Sequence, residues 1–260
     1  MIQAVTTTSQ SAEFARRIEG KPYFGATMGT HAALFGNYPA SGWRFYLLPG
    51  TAALALRGGT ATLCGDLPAE EAGAEAEEEL QGFLQFLRVD RLLSEKAPLQ
   101  GWTPIEPLLL YELPYKQQLP LPAAPPPELR LEAQPSMWPV SRLVFPDSEE
   151  EQEQFYSTAC TALAHGMGTC RALLYNETPV CTVGCYEQSD EEAYMAAGVT
   201  APEWRGRGLA GWLIVHLANE LSPARTVRFA CAPALRQFYQ RLGFQPCGTL
   251  LQSIRKWETL

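Results

Sequence analysis

The chain has 260 residues, a net charge of −8, an apolar fraction of 46% and six tryptophans, enough for one large or two small domains with real cores. The acidic balance argues against a nucleic-acid binder of the ordinary basic kind. No run approaches the roughly 18 apolar residues of a membrane span, and MIQAVTTTSQSAEF lacks the basic and apolar blocks of a signal peptide, so a soluble cytoplasmic protein is expected.

Residues 9–19 read as a short helix capped by Ser11, and residues 20–42, punctuated by glycine and aromatic side chains, read as loop. The runs Trp43–Leu48, Thr51–Arg57 and Thr60–Leu63 are separated by Pro49-Gly50 and Gly58-Gly59, the pattern of an antiparallel meander. Pro68–Leu87 reads as a helix with Leu80, Phe83, Leu84 and Leu87 inward, its early glutamates favoured by the helix dipole. Val89–Leu93 and Leu108–Glu112 read as two further strands.

Nine prolines from Pro114 to Pro146 predict an extended segment that is no core helix, with a domain boundary at Pro125-Pro126-Pro127. The expected domains are therefore residues 1–127 and 128–260. The second opens with a strand at Glu128–Ala133, then a helix to about His165 started by the capping box Ser148-x-x-Glu151. Three strands follow, Thr169–Tyr175, Val180–Glu187 and Glu192–Thr200, joined by turns at 176–178 and 188–190. A helix from Arg207 to Glu220, a strand at Thr226–Cys231, a helix at Ala234–Leu242 ended by Gly243, and an extended stretch Gly248–Trp257 complete the chain.

The stretch EAYMAAGVTAPEWRGRGLAG, residues 192–211, carries the chemistry. Pro202 ends a strand, Gly206 and Gly208 permit positive φ and close approach, and Leu209, Leu213, Leu217 and Leu221 form the buried stripe of a helix. Free N–H groups at that helix start, with its dipole, suit a phosphate. Residues 201–260 hold eight basic and three acidic side chains, a net +5 that leaves −13 on residues 1–200. A basic segment opening at such a loop suits a small polyanion. The seven cysteines are odd in number and scattered, and His31, His165 and His216 lie far apart, so no metal is expected.

The order strand, helix, three strands, loop, helix, strand, helix, strand, with RGRGLA at 205–210 and FYQRLGF at 238–244, resembles the GNAT superfamily of acyl-CoA-dependent N-acyltransferases. That family's Q/R-x-x-G-x-G/A loop is matched by Arg205, Gly208 and Ala210, and its Tyr-bearing helix ending in Gly-Phe by Tyr239, Gly243 and Phe244. The resemblance covers residues 128–260 and implies a mixed, mostly antiparallel sheet flanked by helices (α+β or α/β). The first half looks like a second, degenerate copy without the phosphate loop, giving two such halves in tandem.

The resemblance implies acetyl-CoA as co-substrate, its pyrophosphate held by backbone N–H groups of Arg205, Gly206, Arg207, Gly208, Leu209 and Ala210. Gly198, Val199 and Thr200 would pair with the pantetheine arm, and an amine would attack the thioester directly. Tyr239 stands where the family keeps the acid that protonates the leaving thiolate, and a phenol can do so; its alternative is a packed helix tyrosine. Glu192 is the candidate base, with Glu187 and Glu191 nearby and a turn or edge carboxylate as the alternative. Ala232-Pro233 departs from the asparagine of many relatives, and Met137–Phe145 has no acid or base that names the amine.

The expected acceptor is a small-molecule amine, or an N-terminal or lysine amine of a peptide or protein, with no nucleic acid or membrane partner and a monomeric or homodimeric chain. A non-catalytic acyl-CoA sensor that keeps the fold is the alternative. Gly206-x-Gly208-x-x-Gly211 also satisfies a dinucleotide fingerprint, but only 49 residues follow it and Cys231-Ala232 replaces the ribose-binding acid. A P-loop lacks its Gly-Lys-Ser/Thr, and aminoacyl transfer from tRNA fits poorly with −13 on residues 1–200.

Overall fold

The computed structural model describes residues 1–96 and 99–256. In chain order its first elements are β1 (Gln3–Ala4), α1 (Thr8–Ile18), α2 (Phe24–Phe35), β2 (Trp43–Leu47), β3 (Ala53–Arg57), β4 (Thr60–Cys64), α3 (Glu70–Phe86), β5 (Arg91–Ser94) and β6 (Thr103–Leu113). Then come β7 (Arg130–Glu132), α4 (Met137–Val144), α5 (Glu149–Ala164), β8 (Thr169–Tyr175), β9 (Thr178–Gln188), β10 (Glu192–Thr200), α6 (Leu209–Leu221), β11 (Thr226–Cys231), α7 (Arg236–Leu242) and β12 (Gln245–Ile254). Among the described residues, no helix is long and apolar enough to cross a membrane.

The chain forms two compact units, and they are not consecutive halves. The first holds Met1–Leu110, Ala230–Arg236 and the chain from Cys247; the second holds Tyr111–Phe229 and Gln237–Pro246. The expected cut between 127 and 128 falls inside the second unit. Residues 114–119 are tied there, because Asn219 on α6 brackets Leu119 with two 2.8 Å bonds, Oδ1 accepting its N–H and Nδ2 donating to its carbonyl. Lys116 N–H adds a 2.8 Å bond to the Ser222 carbonyl.

In the first unit the strands run β1-β2-β3-β4-β5-β12-β6. The β4–β5 pair is parallel, while β1–β2, β2–β3, β3–β4 and β5–β12 are antiparallel. Alternation along β3 sorts its side chains: Leu54 and Leu56 join Leu80, Leu84 and Leu92 in one core, and Ala53 and Ala55 join Phe14, Phe24, Met28 and Phe45 in the other. Residues 20–42, expected as loop, contain helix α2. Gly25 in it serves packing, since a Cβ there would stand 3.2 Å from the Ile18 carbonyl oxygen of α1. Helix α1 is capped by Thr7, which exchanges a capping box with Gln10, so Ser11 lies inside the helix.

In the second unit the order is β11-β10-β9-β8-β7, with β10–β11 parallel and β9–β10, β8–β9 and β7–β8 antiparallel. The mixed, mostly antiparallel sheet expected from the sequence is present in each unit. The proline segment was expected to be extended throughout, yet Met137–Val144 is a helix. Pro139 stands in its first turn, where a backbone N–H has no intrahelical acceptor and its loss is harmless. Ser148 caps α5 as expected, its hydroxyl accepting the Glu151 N–H at 3.3 Å. Strand β12 starts at Gln245 rather than Gly248, and Trp257 of the expected final stretch lies outside the described residues.

Candidate functional site

Strand β10 has two behaviours along its length. Its first three residues pair in parallel with β11, in the register Glu192↔Thr226, Ala193↔Val227 and Tyr194↔Arg228. From Met195 to Thr200 it pairs on its β9 side alone in these registers. The pairing with β9 also slips between Ala196↔Gly184 and Val199↔Thr182, inserting one extra residue into β10. Ala197 carries the insertion at φ +56°, a left-handed conformation that costs an alanine about 1–2 kcal/mol. Gly198, Val199 and Thr200 follow this bulge in the stretch of β10 that has no register with β11.

The chain then makes a short turn at Pro202–Trp204 and enters the glycine loop. Gly206 and Gly208 both have φ +75°, and a Cβ on either would meet nothing within 4 Å, so their role is conformational. Backbone hydrogen bonding stops at Arg205 N–H to the Pro202 carbonyl (3.3 Å) and resumes at Trp212 N–H to the Gly208 carbonyl (3.1 Å). The amides of residues 206–211 fall in this gap, and Gly208 supplies no side-chain cap. They stand at the positive end of α6, equivalent to about half a unit charge. Helix α6 begins at Leu209, two residues later than its sequence pattern suggests, because Gly208 is left-handed.

The loop's cations are anchored from within. Arg205 donates to the Thr200 carbonyl at 3.1 Å, at the end of β10. Arg207 donates to the Glu203 carbonyl at 3.3 Å, its guanidinium 4.5 Å over the ring of Trp204. Trp204 is buried and packs 5.0 Å from Tyr175. All nine loop and strand residues singled out in the sequence are thus contiguous around the start of α6. Trp204, the platform of Arg207, was not singled out; only its place between Pro202 and Arg205 hinted at it.

Tyr239 lies on α7, which approaches the first turn of α6 closely: a Cβ on Gly211 would stand 3.2 Å from Leu242 and 3.8 Å from Phe238. The half-buried phenol belongs to an aromatic cluster, 4.4 Å from Phe229 and 6.0 Å from Tyr111 between ring centres. Glu192 sits in another group at the start of β10, 3% exposed. Arg228 donates to it at 3.1 Å and to Glu112 at 2.9 Å. Glu187 stands opposite Tyr194, and β9 has one extra residue there, Tyr186, which turns Glu187 to the face of Tyr194. Burial, then the charge of Glu192, push its carboxyl up to about 7. Arg228 and Glu112 carry this cluster and were not legible in sequence, being 116 residues apart.

The remaining candidates are structural. Cys64, Cys170, Cys181, Cys185 and Cys231 are buried free thiols. Among the described residues, no three His, Cys, Asp or Glu side chains group as a metal would need. His31 stacks 4.0 Å from Trp43, and burial first, then Arg57, pull its imidazole down to about 3. A 470 Å³ cleft in the second unit is lined by Gln134, Thr169 and Arg171, none of them a predicted site residue. Its one charge is spent on Glu220, at 2.8 Å.

Residues 167–246 match the family model described as "Acetyltransferase (GNAT) domain". No curated protein matches the chain. Among solved structures, a tandem GNAT protein from the clavulanic acid biosynthesis pathway aligns with 97% of this chain and 98% of its own, at 15% identity and a TM-score of 0.66. A GCN5-related N-acetyltransferase from Sphaerobacter thermophilus aligns over 100% and 97%, at 13% identity and 0.63. Another from Kribbella flavida aligns over 88% and 95%, at 16% identity and 0.60. At these identities the structures speak for the fold, and the family match supports acyl transfer as the general class of chemistry. Residues 167–246 thus carry a GNAT acetyltransferase domain, and the chain as a whole has the fold of a tandem GNAT protein.

Proposed function

We propose that the chain moves an acetyl group from acetyl-CoA to a primary amine by direct attack in a ternary complex. The observation that carries this is the row of six amides, residues 206–211, left outside the hydrogen-bond ladder at the start of α6. Two self-anchored arginines, Arg205 beside it and Arg207 within it, add positive charge. A pyrophosphate fits that chemistry: several N–H donors, a helix dipole and positive charge. The amides of Gly198–Thr200, beyond the bulge, would receive the amide-bearing pantetheine arm as a strand receives a neighbour. Bound there, acetyl-CoA supplies an activated acyl group.

The chain's own residues would then position and move protons. Tyr239, on the helix packed against the first turn of α6, would give its proton to the departing thiolate. Glu192, with Arg228 as counter-ion, would accept the amine's proton, with Glu187 beside it. The acceptor class is a small-molecule amine or the N-terminal or lysine amine of a peptide or protein, met in the cytoplasm by a monomer or homodimer. One observation favours the sensor alternative: Glu192 is tied to Arg228 and Tyr239 is packed among four aromatic rings.

Thiol release from acetyl-CoA with a panel of amines tests both readings. Turnover that falls about 10²–10⁴-fold in Tyr239→Phe supports the transferase. Thermal stabilisation by acetyl-CoA without turnover on any amine supports the sensor. Absence of any stabilisation refutes both.

A further inference from the structure

The first unit repeats the strand pattern of the second with its strand-end opening closed. Its parallel pair β4–β5 stays in register from Thr60↔Arg91 to Leu63↔Ser94, one residue short of the end of β4 and at the end of β5. No unpaired stretch corresponds to Met195–Thr200. After β4 the chain reaches α3 through the five residues Gly65–Ala69, where the second unit has eight between Thr200 and Leu209.

Two amides of this shorter loop, those next to the strand end, are already used. Gly65 N–H donates to Glu95 Oε2 at 3.1 Å, and Asp66 N–H to Thr51 Oγ1 at 3.2 Å. The same Glu95 carboxylate receives Lys21 Nζ at 3.2 Å and the Cys64 thiol at 3.9 Å. That thiol stays protonated and able to donate, because burial, with the charge of Glu95 adding, pushes it up to about 12. Lys96 is paired with Asp66. Gly65 itself is close-packed: a Cβ there would stand 2.6 Å from the Thr51 carbonyl oxygen, whereas one on Gly206 or Gly208 would meet nothing within 4 Å. An amide, an ammonium and a thiol converging on one carboxylate at the end of the first parallel strand are what an external anion would otherwise find there.

We infer that Glu95 is a built-in anion that fills the strand-end cradle of the first unit, so that each chain takes up one acyl-CoA and not two. This rests on the role proposed for the amides of residues 206–211. The test is the stoichiometry of acetyl-CoA binding to the full chain, by calorimetry and native mass spectrometry. Wild type is compared with Gly208→Asp and, should that variant misfold, Arg207→Glu in the same exposed loop.

One molecule per wild-type chain and none per variant is expected. Two per wild-type chain, or one site persisting in the loop variants, overturns the inference. No binding by wild type refutes the role given to residues 206–211, and agrees with a closed first unit. Glu95 itself is tested in the Gly208→Asp background, where adding Glu95→Ala frees the three donors. Inorganic phosphate then raises the thermal midpoint of the double variant and not of Gly208→Asp alone; an equal response of the two overturns the assignment of Glu95 as the anion.

Discussion

Replacing Glu187 by glutamine removes a carboxyl that the fold holds at a disadvantage. Burial and the neighbouring Glu192 raise it from an ordinary 4.5 to about 7. Below about pH 4.5 the group is protonated in folded and unfolded chains alike, and it costs nothing. Between 4.5 and 7 the unfolded chain ionises while the folded chain keeps its proton, so stability falls as pH rises. Above 7 the folded chain carries the buried carboxylate and the loss is complete. A shift of this size corresponds to about 3 kcal/mol, and Oε2 of this carboxyl is shut off from water.

Glutamine keeps the shape and removes the titration. The stability difference between Glu187→Gln and wild type should therefore swing by about 3 kcal/mol in favour of the variant between pH 4 and pH 8. Thermal or urea unfolding of both proteins across that range measures it, at about 2–4 °C of midpoint per kcal/mol in a chain of this size. Adding Glu192→Gln to the wild type should narrow the window, since the like charge is lost. A difference between Glu187→Gln and wild type that stays flat from pH 4 to 8 would refute the reasoning.

Three other outcomes are expected. Arg228→Ala leaves Glu112 and Glu192 without the guanidinium that holds both at 2.9 and 3.1 Å, and should destabilise the chain by about 3–5 kcal/mol at neutral pH; an unfolding midpoint within a degree of wild type would contradict this. Gly184→Ala places a Cβ 2.3 Å from the ring of Tyr186, itself packed 5.2 Å from Phe155, so a loss of about 1–3 kcal/mol should appear in denaturant titrations. A thiol reagent applied to the native chain at pH 8 should modify Cys160 and Cys247, which are partly exposed, and spare the five buried cysteines until denaturant is added. Peptide mapping that finds Cys185 modified early would show its burial, and its thiol at about 12, to be misassigned.

Local grammar was enough for much of the second unit. The meander β8–β10, the strand-to-loop-to-helix passage at 192–211, the Ser148 cap and the tyrosine helix ended by Gly243 are set by residues within a few positions of one another. The left-handed glycines 206 and 208 and the apolar stripe of α6 were legible for the same reason. Local patterns misled where tertiary packing reversed their usual meaning. Glycines 25 and 29 read as loop and prove to lie in a helix, because Gly25 lets α1 and α2 approach. Proline reads as a helix breaker, and Pro139 falls in the first turn, where breaking costs nothing.

Sequence by itself determined the class of fold in each unit, the glycine loop before α6 and the helix that carries Tyr239. Tertiary structure alone decided the ion cluster of Arg228 with Glu112 and Glu192, the bulge that aims Glu187, and the carboxylate of Glu95 on Gly65. Each of these joins residues on different strands or across a strand register, and a contact 30 or 116 residues apart leaves no trace in local spacing. The assignment of β12 to the first unit belongs to the same group, since Leu251↔Ser94 pairing is a fact of register and not of pattern.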